Sequence, residues 1–334
     1  MKLATVGSGA IVDLALDSIK DVKEIERIAA YSRTQEKADE FAKKHGFAKT
    51  YTDLDEMFAD PDIDTVYIAT PNALHYAQAK KALEAGKNVI LEKPFASTLE
   101  QTEDLFETAE KNGVMIFEAI TNVHTPNFGL LKDNLQLAGN IKQALFNFSQ
   151  YSSRYDNYKK GIAQNVFDPK MDGGALGDIS IYNLHLAHGL FGNPDKLTYL
   201  PNIGFNGIDT SGTLILEYPD FTVTAIGSKD TKADYLFQIE GDEGTFEIKD
   251  GSSGVVKTVE FLPVHPDPEE PVQIISIDQG PHMTYEFLDF AVAIDQQDKE
   301  IYNQFKDETL AVAKLYQQAK DQRDAKARAK GFNL

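Results

Sequence analysis

The sequence predicts an α/β protein: an N-terminal doubly wound parallel sheet, then a C-terminal α+β domain built on a large, mainly antiparallel open sheet. Three observations predict it. Up to about Glu118, short apolar runs alternate with helix-period segments, the pattern that yields βαβ units. Beyond Thr121 come long alternating runs such as Thr213-Leu214-Ile215-Leu216-Glu217-Tyr218, broken by Pro-Asp, Gly-Asp and Gly-Ser turns. Finally, the apolar run Asn88-Val89-Ile90-Leu91 meets Glu92-Lys93-Pro94. Proline cannot donate to a sheet ladder and disfavours helix in the residue before it, so a strand stops there with Lys93 extended. A chain of 334 residues is long enough for two domains, divided as 1–120 and 121–334.

In the first domain the strand candidates are Leu3–Val6, Arg27–Tyr31, Thr65–Ala69, Asn88–Leu91 and Val114–Phe117. Helices lie between them. After Thr34, Ala38, Phe41 and Ala42 share one face up to Gly46, and an alanine-rich segment from Ala73 to Ala85 stops at Gly86. Thr98-Leu99-Glu100-Gln101 is a capping box whose helix ends near Gly113. In the second domain helices are expected near Ala175–Phe191 and Met283–Ile294, and a charged helix from about Asp307 closes the chain. The open face of the second sheet is available for a symmetric partner, so a homodimer or homotetramer is expected.

Composition narrows the function. With 33 basic against 52 acidic residues the net charge is −19, which repels nucleic acid and anionic membranes. Cysteine is absent, which excludes disulfides, thiolate zinc sites and thiol nucleophiles. No apolar stretch approaches the ~18 residues of a membrane span, and the chain opens directly on Lys2 and a strand pattern, so a cytoplasmic location is expected.

The first strand runs into Gly7-Ser8-Gly9-Ala10-Ile11-Val12, a G-x-G turn between strand and helix that fits the start of a Rossmann dinucleotide site. Val12 stands where the third glycine of that motif would be. After the second strand, Tyr31-Ser32-Arg33-Thr34 lacks the acidic residue that holds a free ribose 2′-hydroxyl. Arg33 is able to pair with a 2′-phosphate, which favours NADP(H) over NAD(H); otherwise it is a solvated turn arginine. The third crossover, Ala69-Thr70-Pro71-Asn72-Ala73-Leu74-His75, would face the nicotinamide half of a cofactor. A helix N-terminus disfavours imidazolium, so His75 is read as neutral, bonded to backbone or ribose.

In the second domain, Gly173-Gly174-Ala175-Leu176-Gly177-Asp178-Ile179-Ser180-Ile181-Tyr182 puts Asp178 and Tyr182 at i and i+4, hence on one helical face, with His185 nearly continuing it. The plain alternative is an acidic residue near a helix start and a core tyrosine. His185 and His188 have metal-like spacing but no third ligand in reach, so no metal site is expected.

Taken in order, the G-x-G turn, Ser32-Arg33, Thr70-Pro71-Asn72, Glu92-Lys93-Pro94, Glu118-Ala119 and the Gly-Gly-Ala-Leu-x-Asp-x-x-x-Tyr run resemble the Gfo/Idh/MocA oxidoreductases over the whole chain. The tyrosine four residues after the aspartate is similar to the glucose–fructose oxidoreductase, dihydrodiol dehydrogenase and NADP-xylose dehydrogenase branch. That resemblance implies Lys93 and Tyr182 as catalytic, with Asp178 supporting them. It places Gly7, Ser8, Gly9, Ala10, Ile11, Ser32, Arg33, Thr70, Pro71, Asn72, His75, Glu92 and Lys93 around the cofactor. Substrate would meet Lys93, His124, Tyr155, Asp178 and Tyr182. Val123 and His124 depart from the arginine and aromatic usual in that branch, and Asp172 replaces a glycine, adding a carboxylate near the site entrance. Tyr151, Arg154 and Tyr155 are groups typical of polyol pockets.

The implied activity is hydride transfer between nicotinamide and a secondary alcohol or carbonyl of a sugar, polyol or dihydrodiol. A base must then reach the hydroxyl proton. Lys93 and Tyr182 both have reference pKa values near ~10, and a cationic nicotinamide disfavours an ammonium and favours a phenolate beside it. Either is able to exchange the proton while the other hydrogen-bonds the reacting oxygen. Two rivals remain: a dinucleotide-binding sensor without turnover, and a glycosidase that oxidises its sugar transiently on bound NAD.

Overall fold

The structure, a computed structural model, describes residues 1–251 and 255–333. The chain forms two compact units, the first made of Met1–Ala119 with Pro281–Leu310, the second of Ile120–Gly280 with the chain from Ala311 on.

Unit 1 is built on an all-parallel sheet of β1 (Lys2–Val6), β2 (Glu26–Tyr31), β3 (Lys49–Tyr51), β4 (Thr65–Ile68), β5 (Asn88–Glu92) and β6 (Ile116–Ala119). Their order, β3-β2-β1-β4-β5-β6, reverses between β1 and β4, which opens the crevice where such sheets take ligands. β4 is buried at every residue, as a parallel strand covered on both faces must be. All five expected strands form, although the last begins at Ile116 instead of Val114. β3 is an addition: three half-buried residues on the sheet edge are too few to carry a period. Half of the predicted capping box forms, with Thr98 Oγ1 accepting from Gln101 N at 3.2 Å, while Gln101 Oε1 takes Ser97 N at 3.1 Å instead of the Thr98 N–H.

Residues 281–310 fall to the second domain in the sequence reading, but they pack in unit 1. One face of the parallel sheet carries the large rings of Tyr67 and Phe117, which need an apolar cover. Helix Met283–Gln296 supplies it: Phe287 meets Tyr67 edge-on at 5.2 Å between ring centres, and Phe290 stacks on Phe117 at 4.7 Å. Tyr302 and Phe305, early in helix Lys299–Ala329, complete the cluster around Phe117.

Unit 2 carries β7 (Ile141–Ser149), β8 (Lys196–Ile203), β9 (Asp209–Glu217), β10 (Thr222–Ser228), β11 (Leu236–Gly241), β12 (Gly244–Ile248), β13 (Glu260–Pro263) and β14 (Gln273–Ile274). They form one sheet in the order β14-β13-β12-β11-β7-β10-β9-β8, antiparallel except where β10 runs parallel to β7. Burial alternates along it. In β10, Val223 and Ala225 are buried while Thr222, Thr224 and Ile226 are half-exposed. Leu184 and Ala187 of helix Ile181–Phe191, with Val312 and Leu315 of the long C-terminal helix, share the core with Phe146, Leu214 and Phe237 of the sheet. Among the described residues no helix is long and apolar enough to cross a membrane.

If helix Met283–Gln296 is integral to unit 1, Phe290→Ala should cost about 3–5 kcal/mol, as truncation of a buried ring does. Urea titration checks this; a loss below about 1 kcal/mol would refute the assignment of that helix.

Candidate active site

Parallel pairing brings the carboxyl ends of β2, β1, β4, β5 and β6 side by side. On that edge stand Ser32 and Arg33, the Gly7–Ile11 turn, Thr70 to Asn72, Lys93, and Glu118 near the end of β6. Gly7 has φ +127°, and a Cβ there would lie 2.5 Å from the carbonyl oxygen of Ala69. No side chain fits, so the β1 turn and the end of β4 touch through backbone alone. Gly9 caps helix Ala10–Ser18 without a side-chain bond, and a Cβ on it would meet nothing. Ser8, Gly9, Ala10 and Ile11 are exposed, whereas Val12, at the third-glycine position, is fully buried in the unit 1 core. Val12 N–H already donates to the Gly9 carbonyl at 3.0 Å, but the N–H groups ahead of it in the turn precede any intrahelical acceptor, so the open turn has the space and donors a pyrophosphate needs. Ser32 is buried with its N–H on the Tyr51 carbonyl at 3.1 Å, and Arg33 is exposed. No acidic side chain follows β2 in Tyr31-Ser32-Arg33-Thr34.

Half-buried Lys93 follows β5, and its peptide bond to Pro94 is cis. The turn around it is held from several sides. Buried Glu92 accepts the Tyr67 hydroxyl at 2.6 Å through Oε1 and the Lys93 N–H at 3.3 Å through Oε2. Phe95 N–H donates to Glu118 Oε1 at 3.0 Å. His75, fully buried, has Nδ1 3.0 Å from the Pro94 carbonyl and Nε2 2.9 Å from the Thr70 carbonyl, tying the β4 and β5 turns together. Burial pushes the Glu92 carboxyl above its usual range against the pull of the Lys93 charge. It holds the His75 imidazole below its usual range, although both carbonyls favour the cation. A neutral ring has one N–H, so it donates to one of the two carbonyls. His75 and Glu92 thus act on the edge from behind, by fixing the backbone around Lys93.

In unit 2 the Gly173-Gly174 turn is pinned by buried groups. Asp209 Oδ2 accepts from Leu176 N–H and from the Tyr199 hydroxyl, both at 2.7 Å, and Arg323 lies 3.5 Å from its Oδ1. Gly174 has φ +121°, and a Cβ there would collide with Asp209 Oδ1. Asp172, expected as an added carboxylate near the entrance, is nearly buried and paired with Lys320 at 2.6 Å.

The single helix predicted from Ala175 is two: a π-helical turn, Leu176–Ser180, followed by α-helix Ile181–Phe191. Placing Asp178 and Tyr182 on one face by i, i+4 spacing requires an α-helix across this junction, and the wider turn replaces it; π turns recur at functional sites. Asp178 is ion-paired with Lys229. Half-buried Tyr182 has its carbonyl held by Asn122 Nδ2 at 2.9 Å, and His185 is fully buried below it in the same helix. Tyr155 opens a short helix between Tyr151 (5.5 Å, edge-on) and Tyr158 (5.9 Å, stacked), and burial raises its pKa. His124 is half-buried after the turn Thr121–Val123. Among the described residues no three His, Asp or Glu side chains cluster as a metal site would require.

Sequence reasoning missed Lys229, Asp209 and Arg323. Each sits among polar neighbours, in Gly-Ser-Lys-Asp-Thr, at a strand start and in a charged helix, where a solvated role is the ordinary expectation.

A doubly wound sheet with an open G-x-G turn, beside a lysine on the same edge, defines the class: a dinucleotide-dependent oxidoreductase. Residues 1–120 match the oxidoreductase family with an NAD-binding Rossmann fold, and residues 139–247 match the GFO/IDH/MocA C-terminal domain. The chain is 34% identical over 322 residues to scyllo-inositol 2-dehydrogenase (NADP(+)) IolU of Bacillus subtilis, covering 96% of this chain and 97% of that protein. It is 28% identical over 258 residues to D-xylose 1-dehydrogenase (NADP(+)) of Hypocrea jecorina, covering 70% and 66%. In fold it is similar to the crystal structure of aldose-aldose oxidoreductase from Caulobacter crescentus, with a TM-score of 0.84 at 18% identity over 98% of each chain. The chain belongs to the GFO/IDH/MocA oxidoreductase family.

The His75 arrangement has a pH signature. Its folded pKa lies below the ordinary 6.5, so as pH falls through 6.5 the unfolded chain gains a proton that the folded chain refuses, and stability drops. His75→Gln removes this contribution. The melting temperature of the wild type should therefore fall more steeply than that of the variant from about pH 7 to about pH 5; parallel curves would contradict the assignment.

Proposed function

We propose that this protein is an NADP(H)-dependent dehydrogenase or reductase acting on a CH–OH group of a sugar, polyol or dihydrodiol. The observation that carries this reading is Lys93, held by Glu92, His75 and Glu118 on the sheet edge that also carries the open Gly7–Ile11 turn. NADP-dependent inositol and xylose dehydrogenases among the relatives support the same substrate class.

The residues fit a dinucleotide. Ser8 to Ile11 would hold the pyrophosphate on their N–H groups, Ser32 and Arg33 a 2′-phosphate, and Thr70 to Asn72 the nicotinamide half. Bound NADP+ supplies a hydride acceptor. When the carbinol carbon loses hydride to that acceptor, the O–H bonding pair would close the carbonyl, and the proton would pass to the Lys93 amine or the Tyr182 phenolate. The other of the two hydrogen-bonds the reacting oxygen, and the Asp178 carboxylate stabilises a positive or hydrogen-bond-donating neighbour. Reduction runs the same path in reverse. Tyr151 and Tyr155 offer ring faces and hydroxyls suited to a polyhydroxylated substrate.

Lys93→Met should abolish NADP-linked oxidation in a screen of inositols, aldoses and dihydrodiols, while NADPH affinity, followed by nicotinamide fluorescence, stays within about threefold of wild type. Near wild-type turnover in that variant would refute the assignment. Sugar release without net nicotinamide reduction would favour a glycosidase, and cofactor binding with neither reaction a sensor.

Arg33→Ala should weaken NADPH binding about 10–100-fold, the worth of a charge-assisted phosphate contact, and leave NADH nearly unchanged. Equal losses for both cofactors would show that Arg33 does not read the 2′-phosphate.

A further inference from the structure

Lys229 follows β10 directly, and its side chain is only 7% exposed. Its backbone is fixed on both sides: its N–H donates to the Thr210 carbonyl at 2.9 Å, and its carbonyl accepts from Ser152 N–H at 2.9 Å. A buried ammonium needs a counter-charge. The adjacent Asp230 is committed elsewhere, accepting the hydroxyls of Thr210 at 2.6 Å, Ser211 at 3.0 Å and Ser228 at 2.8 Å. The ammonium instead pairs with Asp178 on the π-helical turn.

Two local features bring that turn to the strand. Gly227 in β10 has no side chain, and a Cβ there would collide with Ser180 Oγ, so the π turn lies directly against β10. Asp209 holds the turn's first residue by Leu176 N–H. The Asp178 carboxylate is 34% exposed, so a buried cation backs a carboxylate that reaches the surface.

We propose that Lys229 is a positioning residue of the active site: it fixes the Asp178 carboxylate in place, and through it orders the proton-transfer group or the substrate hydroxyl. This rests on the dehydrogenase reading above. Lys229 contributes through Asp178 and not through any contact of its own with the reacting atoms, so the two side chains form one functional unit.

The test is a kinetic double-mutant cycle on the full-length protein with NADP+ and the best polyol or sugar from the screen. Lys229→Met should lower kcat/KM about 100-fold, the scale of a displaced catalytic group, with most of the loss in kcat and NADPH affinity unchanged. Lys229→Arg, which keeps the charge, should recover part of the loss. The double variant Asp178→Asn with Lys229→Met should be no slower than Asp178→Asn alone, because a residue acting only through Asp178 has nothing left to act on. If Lys229→Met does not fold, the last comparison carries the test by itself: the double variant leaves no buried ion unpaired, and in Asp178→Asn alone the amide oxygen still accepts from the Lys229 ammonium.

Multiplying losses, or a folded Lys229→Met variant with wild-type kcat/KM, would overturn the proposal while leaving the dehydrogenase reading intact. A wild-type protein that oxidised or reduced none of these substrates would instead overturn that reading, and this inference with it.

Discussion

The role proposed for Lys93 requires its backbone to be fixed at the sheet edge, and the chain that delivers it buries polar groups to do so. Glu92 is where this requirement concentrates. It closes a central strand, it is buried, and its two oxygens are bound to the Tyr67 hydroxyl and the Lys93 N–H. An ionised carboxylate in such a place is expensive unless neighbouring donors and a cation compensate it. Tyr67 in turn rests against Phe287, so the placement of Lys93 depends on the aromatic packing beneath the sheet. His75 and Glu118 serve the same turn from either side, one holding the Pro94 carbonyl and the other the Phe95 N–H.

The second unit solves a comparable problem with Asp209. This fully buried carboxylate gathers a backbone N–H, a tyrosine hydroxyl and the Arg323 guanidinium. The Gly-Gly turn then enters the π-helical turn in one defined way. Both units use a buried acid as the hub of a polar network, and in both the hub lies one step behind a residue proposed to serve the reaction.

Much of this was legible in the sequence because the signals were local. Strand starts, the G-x-G turn, the capping box at Thr98 and the Lys93-Pro94 stop each depend on a few adjacent residues. Assigning residues 281–310 to the second domain failed for a nonlocal reason: their apolar face is specified by Tyr67 and Phe117, some two hundred residues earlier. The π-helical turn was illegible because nothing local in Leu176 to Ser180 separates a π turn from an α turn, while the groups that meet it, Asp209 and the side-chain-free backbone at Gly227, are distant in sequence. Lys229 and Arg323 look like surface cations until their carboxylate partners, distant in sequence, are brought against them.

The return of helix Met283–Gln296 to unit 1 also bears on how the chain is made. Domains tend to fold as they leave the ribosome, amino-terminal first. Here the order is inverted. The first 119 residues carry every described strand of the parallel sheet but not the cover for Tyr67 and Phe117, which is synthesised after the fourteen described strands. The nucleotide-binding half is therefore begun first and finished last. Throughout that interval the sheet face bearing Tyr67 and Phe117 lacks its cover, and a chain truncated before residue 281 would never acquire it.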